Sequence, residues 1–340
     1  MNRRFFGLKS LSDLKGLMGS KTGSKKNDGS RRKEAASEME PATLSESRGV
    51  RYLHLGTPWI QGAMRRSKPL AIELEYVRRM MSWMLLVPTE MLGTADAEQR
   101  IIEPAQGHAV QLGLGAAAIT KFCHQVLGMQ TTAIELNPTV IDACRMWFTL
   151  PEDDDLLTVL QMDAGLYVAD PTRRASVQVL TVDLYDHDAA SPVLDDEGFY
   201  RNCRGVLAPG GVMSVNLFGR DASFEVSARH IESAFGVGNV WSLPPNKDGN
   251  TIVLAGRDVS WPDEATLAQR AKAIDARFGW PAAIWARMLQ PLPLLPGVVS
   301  DILREDQSDA PALASSASRA NSRASSRTRS PRSTASRERP

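Results

Sequence analysis

The stretch from Val110 to Pro138, VQLGLGAAAITKFCHQVLGMQTTAIELNP, limits the possible folds more than any other part of the chain. An apolar run ends in Gly113-Leu114-Gly115, a helix-like segment follows, and a second apolar run closes on an acid, Glu135. Continuous apolar strands separated by helices belong to parallel sheets covered on both faces. Glycines at the first strand-to-helix turn let a ligand approach the backbone, and an acid ending the second strand accepts hydrogen bonds from ribose hydroxyls. Gly113 to Ala118 fits G-x-G-x-x-A, with Glu135 20 residues past Gly115. Spacing alone leaves open a dinucleotide or the adenosine half of a sulfonium compound.

The alternation of strand and helix continues. We expect strands at 108–114, 131–136, 157–162, 177–183 and 212–218, and helices at 117–128, 138–148, 164–169, 195–207 and 222–235. The runs NVWSLPP and TIVLAGR flank NKDGN, whose Asp-Gly is a hairpin signal, so the sheet should end antiparallel. Upstream, residues 51–66 alternate around Gly56-Thr57-Pro58 as a small β-hairpin would. Residues 70–88 have helical periodicity, with Leu70, Leu74, Val77, Met81, Met84 and Leu85 on one face and Pro88 ending the run. Residues 262–289 read as helical, and Trp280, Ile284, Trp285 and Met288 supply a packing face.

The expected organisation is a disordered basic arm at 1–48 and a β-hairpin and helix at 49–104. A nucleoside-binding domain follows at 105–258, then a helical extension at 259–306 and a disordered Ser/Arg-rich tail at 307–340. The net charge of +1 hides an acidic centre between two basic ends. An acidic body focuses cationic ligands. The tail arginines could touch nucleic acid, but a solubilising role is the expected one. The N-terminal MNRRFFGLKSLSDLKGLMGS begins like a signal peptide yet lacks a continuous apolar stretch. Its Phe5, Leu8, Leu11, Leu14 and Leu17 form a loose stripe that could touch a membrane or partner, with a disordered arm the expected reading. No apolar run suffices to span a membrane. Three scattered cysteines, Cys123, Cys144 and Cys203, fit a reducing, cytoplasmic setting, and no histidine spacing suits a metal.

Three later features bear on the nucleotide. Strand three ends in LQMDAG, placing Asp163 where an adenine amino group needs an acceptor. Strand four ends in LTVDLYDHD, bringing Asp183, Asp186 and Asp188 to the carboxyl edge of the sheet, where open α/β sheets bind ligands. CRGVLAPGGVMSVNLF then gives a helix, a Pro-Gly-Gly turn and a buried strand before the closing hairpin, with no second mononucleotide-binding half. The fold expected is α/β: a Rossmann-like class I adenosylmethionine-methyltransferase fold, mostly parallel, preceded by a small β-hairpin region. Bland roles compete at each position: a strand-end cap for Glu135, a helix N-cap for Asp163, solvated loop acids for Asp186 and Asp188, packing for Gln61 and Tyr76.

Over roughly 50–257 the chain resembles the spermidine synthase group, the polyamine aminopropyltransferases. The residues that carry the resemblance are Gln61 in GTPWIQGAM, Tyr76 in LEYVRRM, Gly113/Gly115, Glu135, Asp163-Ala164, Asp183-Leu184-Tyr185-Asp186 and Phe199-Tyr200. It implies a transferase that moves an aminopropyl group from decarboxylated adenosylmethionine to a diamine such as putrescine, without a metal. It also implies a homodimer. By resemblance, Asp183 is base or orienting group, Asp186 anchors the diamine, and Tyr76 positions the amine. Gln61, Gly113, Gly115, Glu135, Asp163 and Ala164 hold the donor. The chain departs from the pattern at Ala116, where the family glycine loop carries an Asp for the aminopropyl amine. Val77 and Arg78 after the tyrosine, and D-L-Y-D-H in place of D-S-T-D-P, depart as well. These changes keep two alternatives in play: a methyltransferase using intact adenosylmethionine, and a nucleoside-binding scaffold with little turnover.

Overall fold

The structure, a computed structural model, describes residues 39–292 apart from 97, 99, 186–193 and 219–221. The basic N-terminal arm up to residue 38, the Ser/Arg-rich tail, and Asp186 and Asp188 lie outside the described residues.

The described chain opens with a three-stranded antiparallel sheet, β1 (Ala42–Ser47), β2 (Val50–Leu55) and β3 (Gly62–Arg65). The expected hairpin is β2–β3; β1 falls within 1–48, where a disordered basic arm is expected. Its sequence ATLSES is polar because only Ala42 is fully buried and the strand is an edge. The β1–β2 turn is made by Arg48 and Gly49, both at positive φ (51° and 77°), with Ser47 opposite Val50. That is the backbone of a two-residue hairpin without the usual Asn-Gly signal.

Helix α1 (Glu75–Met80) continues only as a 3₁₀ turn over Met81–Leu85, shorter than the helix expected over 70–88. Residues 81–85 are all buried, so the segment has no solvent face and no single register of burial to sustain a long amphipathic helix. A short ribbon follows, β4 (Thr94–Ala95) and β5 (Ile101–Glu103).

The nucleotide-type unit comprises β6 (His108–Leu112), α2 (Ala118–Lys121), β7 (Gln130–Glu135), α3 (Pro138–Trp147), β8 (Leu157–Gln161), α4 (Ala164–Ala169), β9 (Val177–Val182), α5 (Glu197–Val206), β10 (Leu207–Phe218), α6 (Ala222–Phe235), β11 (Val240–Ser242) and β12 (Asn250–Gly256). Then come α7 (Glu264–Phe278), α8 (Ala282–Met288) and β13 (Gln290–Pro291). Helix α2 runs on as a π-helical turn over Phe122–Val126. The stretch 262–289, expected to be helical, forms two helices that part where Gly279 takes a left-handed φ of 66° as the C-terminal cap of α7 and Pro281 precedes α8. Helices α3, α4, α5 and α7 start on the side-chain caps Asn137, Asp163, Asp196 and Asp263.

The eight strands β6–β13 form one sheet in the order β13-β11-β12-β10-β9-β6-β7-β8. β8, β7, β6, β9 and β10 are parallel, and β12 enters antiparallel beside β10. This is the expected mostly parallel sheet with an antiparallel finish. The strand order reverses direction between β6 and β9, and Leu112 pairs with Val182, so Gly113 and Asp183 leave the carboxyl edge side by side. One face is packed by α1, α7 and α8, with Trp83, Trp280 and Trp285 buried in it. Tyr167, Tyr200 and Cys203 pack the other. A third cluster joins Leu53 and Met64 of the small sheet to Ala116, Val140 and Cys144. Among the described residues no helix is long and apolar enough to cross a membrane.

Candidate active site

A cavity of about 850 Å³ opens at the reversal point, between the carboxyl edge of the large sheet and the β2–β3 loop above it. It brings together Gln61, Tyr76, Gly113, Gly115, Glu135, Asp163, Ala164 and Asp183. Every site residue expected from sequence therefore meets in one space, except Asp186, which lies outside the described residues.

The floor is backbone. Gly113, at φ 86°, sits so close to Asp183 that a Cβ there would stand 2.2 Å from the Asp183 carbonyl oxygen. A side chain at Gly62 of β3 would meet the Ala116 backbone nitrogen at 2.5 Å. The small sheet therefore rests directly on the glycine loop, which is what carries Gln61 to the cavity. Lys121 ties the same two parts together from beneath. Its buried ammonium donates to the carbonyls of Pro69 (2.9 Å) and Phe148 (2.6 Å), and burial pulls its pKa down to about 8.

Glu135 ends β7 with its carboxylate accepting from the backbone N–H of Leu114 (3.0 Å) and of Asn137 (2.8 Å). Burial nevertheless raises its pKa above the ordinary carboxylate value. Glu135 thus shapes the glycine loop as well as lining the cavity. Asp163 is the N-cap of α4, accepting from Leu166 N–H at 3.0 Å, and it also lines the cavity. Cap and cavity roles coexist there, because a carboxylate has more acceptor sites than one cap uses. Gln61 Nε2 is buried without a partner, and an unmade donor in a buried site points to a ligand acceptor.

Asp183 stands at the end of β9. One oxygen accepts from the Tyr76 hydroxyl (3.2 Å), the other from Asn216 Nδ2 (2.9 Å). The Tyr185 hydroxyl donates to the Asn216 carbonyl at 2.9 Å. Burial raises the Asp183 carboxyl from 3.8 to about 6, opposed by the Asn216 and Tyr76 hydrogen bonds. The surface Asp183 leaves exposed faces the cavity. Tyr76 is held well above its ordinary pKa by burial and by Asp183, so it remains a donor.

Asn216, Glu75, Asp248 and Asn250 also line the cavity and were not singled out from sequence. Asn216, 3% exposed, shares with Ser214 the buried polar positions of a largely apolar strand, and that was its available signal. Asp248 sits in the turn NKDGN, where its type is fully explained by turn chemistry. The described lining includes five carboxylates, Glu75, Glu135, Asp163, Asp183 and Asp248, and no Lys, Arg or His. Such a cavity concentrates cations. Among the described residues no group of three His, Cys, Asp or Glu is arranged to hold a metal ion.

The chain has relatives of known name. The chain is 30% identical over 247 residues to a polyamine aminopropyltransferase of Chromobacterium violaceum, spanning 72% of this chain and 87% of that protein. It is 28% identical over 246 residues to a polyamine aminopropyltransferase of Neisseria meningitidis, spanning 72% of this chain and 86% of the relative. No protein-family profile matches. Two solved structures share the fold: a probable spermidine synthase from Corynebacterium glutamicum (TM-score 0.55, 19% identity, 83% of this chain and 96% of that one) and human methyltransferase-like protein 13 in complex with SAH (TM-score 0.50, 18% identity, 68% of this chain and 100% of that one). On the first of these relatives, the chain belongs to the polyamine aminopropyltransferase family of transferases.

Proposed function

We propose that the protein transfers the aminopropyl group of decarboxylated adenosylmethionine to a diamine such as putrescine. The observation that carries this reading is the Tyr76–Asp183–Asn216 cluster at the centre of an acidic cavity without a cationic side chain in its described lining. The donor supplies a carbon activated by an adjacent sulfonium. The amine nitrogen bonds to that carbon, the C–S pair passes to sulfur, and the sulfonium becomes a neutral thioether. An amine of pKa about 10 arrives protonated at neutral pH and must shed a proton to attack. Asp183, ionised above about pH 6, accepts from that amine and takes its proton. Tyr76 and Asn216 fix the carboxylate so that its lone pairs face the cavity.

Glu135 and Asp163 offer acceptors for the donor's ribose and adenine, and Gln61 Nε2 offers the unspent donor. Three buried free thiols accord with a cytoplasmic setting. A second reading, methyl transfer from intact adenosylmethionine, draws on Ala116. It is 3% exposed and sealed by Gly62, so no acid of the glycine loop stands ready for an aminopropyl ammonium. The test is Asp183→Asn: amine-dependent release of methylthioadenosine should fall by about a thousandfold, in the range for loss of a general base. Donor binding should persist. Turnover within a few-fold of the parent enzyme would remove Asp183 from the chemistry.

A further inference from the structure

The connection between β2 and β3 supplies one lip of the cavity through Pro58, Trp59, Ile60 and Gln61. Trp59 is 63% exposed and Ile60 46%, although both line the cavity. Of the chain's seven tryptophans, Trp59 is the only one in the described lining. An indole left open to water at the mouth of a binding cavity is apolar area that a ligand can cover.

The lip is held in place. His54 Nδ1 donates to the Trp59 carbonyl at 2.9 Å, and His54 Nε2 bonds to Ser45 Oγ of β1 at 2.8 Å. The Thr57 N–H donates to the Leu55 carbonyl (2.8 Å) and the Gln61 N–H to the Leu53 carbonyl (2.9 Å), which closes both ends of the loop on β2. A loop fixed in this way presents its indole with little ordering cost at binding.

The two ends of the loop locate the indole along the cavity. A Cβ on Gly56 would stand 2.5 Å from the Glu40 carboxylate, and the Glu40 carbonyl accepts from Nδ2 of Asn137, just past Glu135, at 2.8 Å. At the other end, a Cβ on Gly115 would meet the Gln61 carbonyl at 3.1 Å. The lip therefore runs from the carboxyl end of β7 to the glycine loop after β6. Asp183 ends β9, on the far side of β6. Trp59 thus belongs to the Glu135 end of the cavity, where Ile134, Leu136 and Val140 add apolar lining.

We propose that Trp59 covers the nucleoside of the bound donor, with its indole laid against the surface that the nucleoside turns toward the lip. This rests on the aminopropyl-transfer reading and assigns the outer wall at the donor end of the cavity. The contact is to the part that the sulfonium donor and its thioether product share, so Trp59 holds both alike.

The test measures equilibrium binding of decarboxylated adenosylmethionine and of methylthioadenosine to the full chain, to Trp59→Ala and to Trp59→Phe. Covering about one-third of an indole surface of roughly 200 Å² is worth about tenfold in affinity, so Trp59→Ala should bind both compounds about tenfold more weakly. Trp59→Phe should recover most of the loss. Methylthioadenosine should change the indole emission of the parent, and Trp59→Phe should abolish that change, because the other six tryptophans lie outside the described lining. Parent-like affinities in Trp59→Ala overturn the assignment, as does an emission change that survives in Trp59→Phe or a loss confined to the charged donor. A parent chain that binds neither compound overturns the underlying reading instead, before any variant is compared.

Discussion

Replacing Tyr76 by Phe removes one hydroxyl and leaves the ring packing of α1 in place. That hydroxyl donates to Asp183 at 3.2 Å and is one of the two contacts that restrain the carboxyl from rising further than about 6. A hydrogen bond to a charged acceptor contributes about 1.5–3 kcal/mol, and a 3.2 Å contact belongs at the low end. About 1.5 kcal/mol is close to one pH unit, so in Tyr76→Phe the carboxyl should titrate near pH ~7. At pH ~6 the ionised fraction then falls from about half to about a tenth, and at pH ~8 it barely changes. The assay is kcat/KM for amine-dependent nucleoside release between about pH 5 and 9, where the acid limb reports the free enzyme's essential base. The limb should move up by about one unit. Stability should follow the same group: a carboxyl raised in the folded state stabilises below its unfolded value, and that contribution is lost as pH climbs through about 6. In the variant the loss should extend to about pH ~7. A variant that loses activity with its acid limb unmoved would refute the reasoning, because Tyr76 would then act on something other than Asp183.

Two further predictions concern the seating of the small sheet. Gly62→Ala places a methyl 2.5 Å from the Ala116 backbone nitrogen, so it should cost about 2 kcal/mol or more in stability and weaken donor binding; a thermal midpoint and donor affinity equal to the parent's would contradict this contact. Lys121 is depressed to about 8, so the folded chain holds fewer protons than the unfolded one between that pH and the ordinary lysine value, and stability gains with rising pH there. Lys121→Met should lack that gain in denaturant titrations from about pH 8 to 10, and an identical slope in parent and variant would count against it.

Much of the site was legible because its geometry follows from strand ends. Gly113, Glu135, Asp163 and Asp183 each follow a β-run in a parallel alternation, and parallel strands deliver their carboxyl ends to one edge whatever the detailed packing. The parts that escaped depend on distant pairings. The β1 strand hid behind a polar edge sequence and an Arg-Gly turn. The 70–88 segment was misjudged in length because it is enclosed on all sides, which local periodicity does not register. Asn216 acquires meaning only when β10 is seen beside β9. The Glu135 carboxylate, expected to serve ribose, also binds the Leu114 N–H, a contact fixed by the closure of the glycine loop rather than by spacing.

The central claim is the transfer of an aminopropyl group, and a product assay tests it most directly. The full chain is offered decarboxylated and intact adenosylmethionine, each with a panel of diamines, and the nucleoside product is weighed by mass spectrometry. The account predicts methylthioadenosine that appears only with the decarboxylated donor and only when a diamine is present. S-adenosylhomocysteine formed from the intact donor, with no methylthioadenosine from the other, would contradict it and assign the site to methyl transfer.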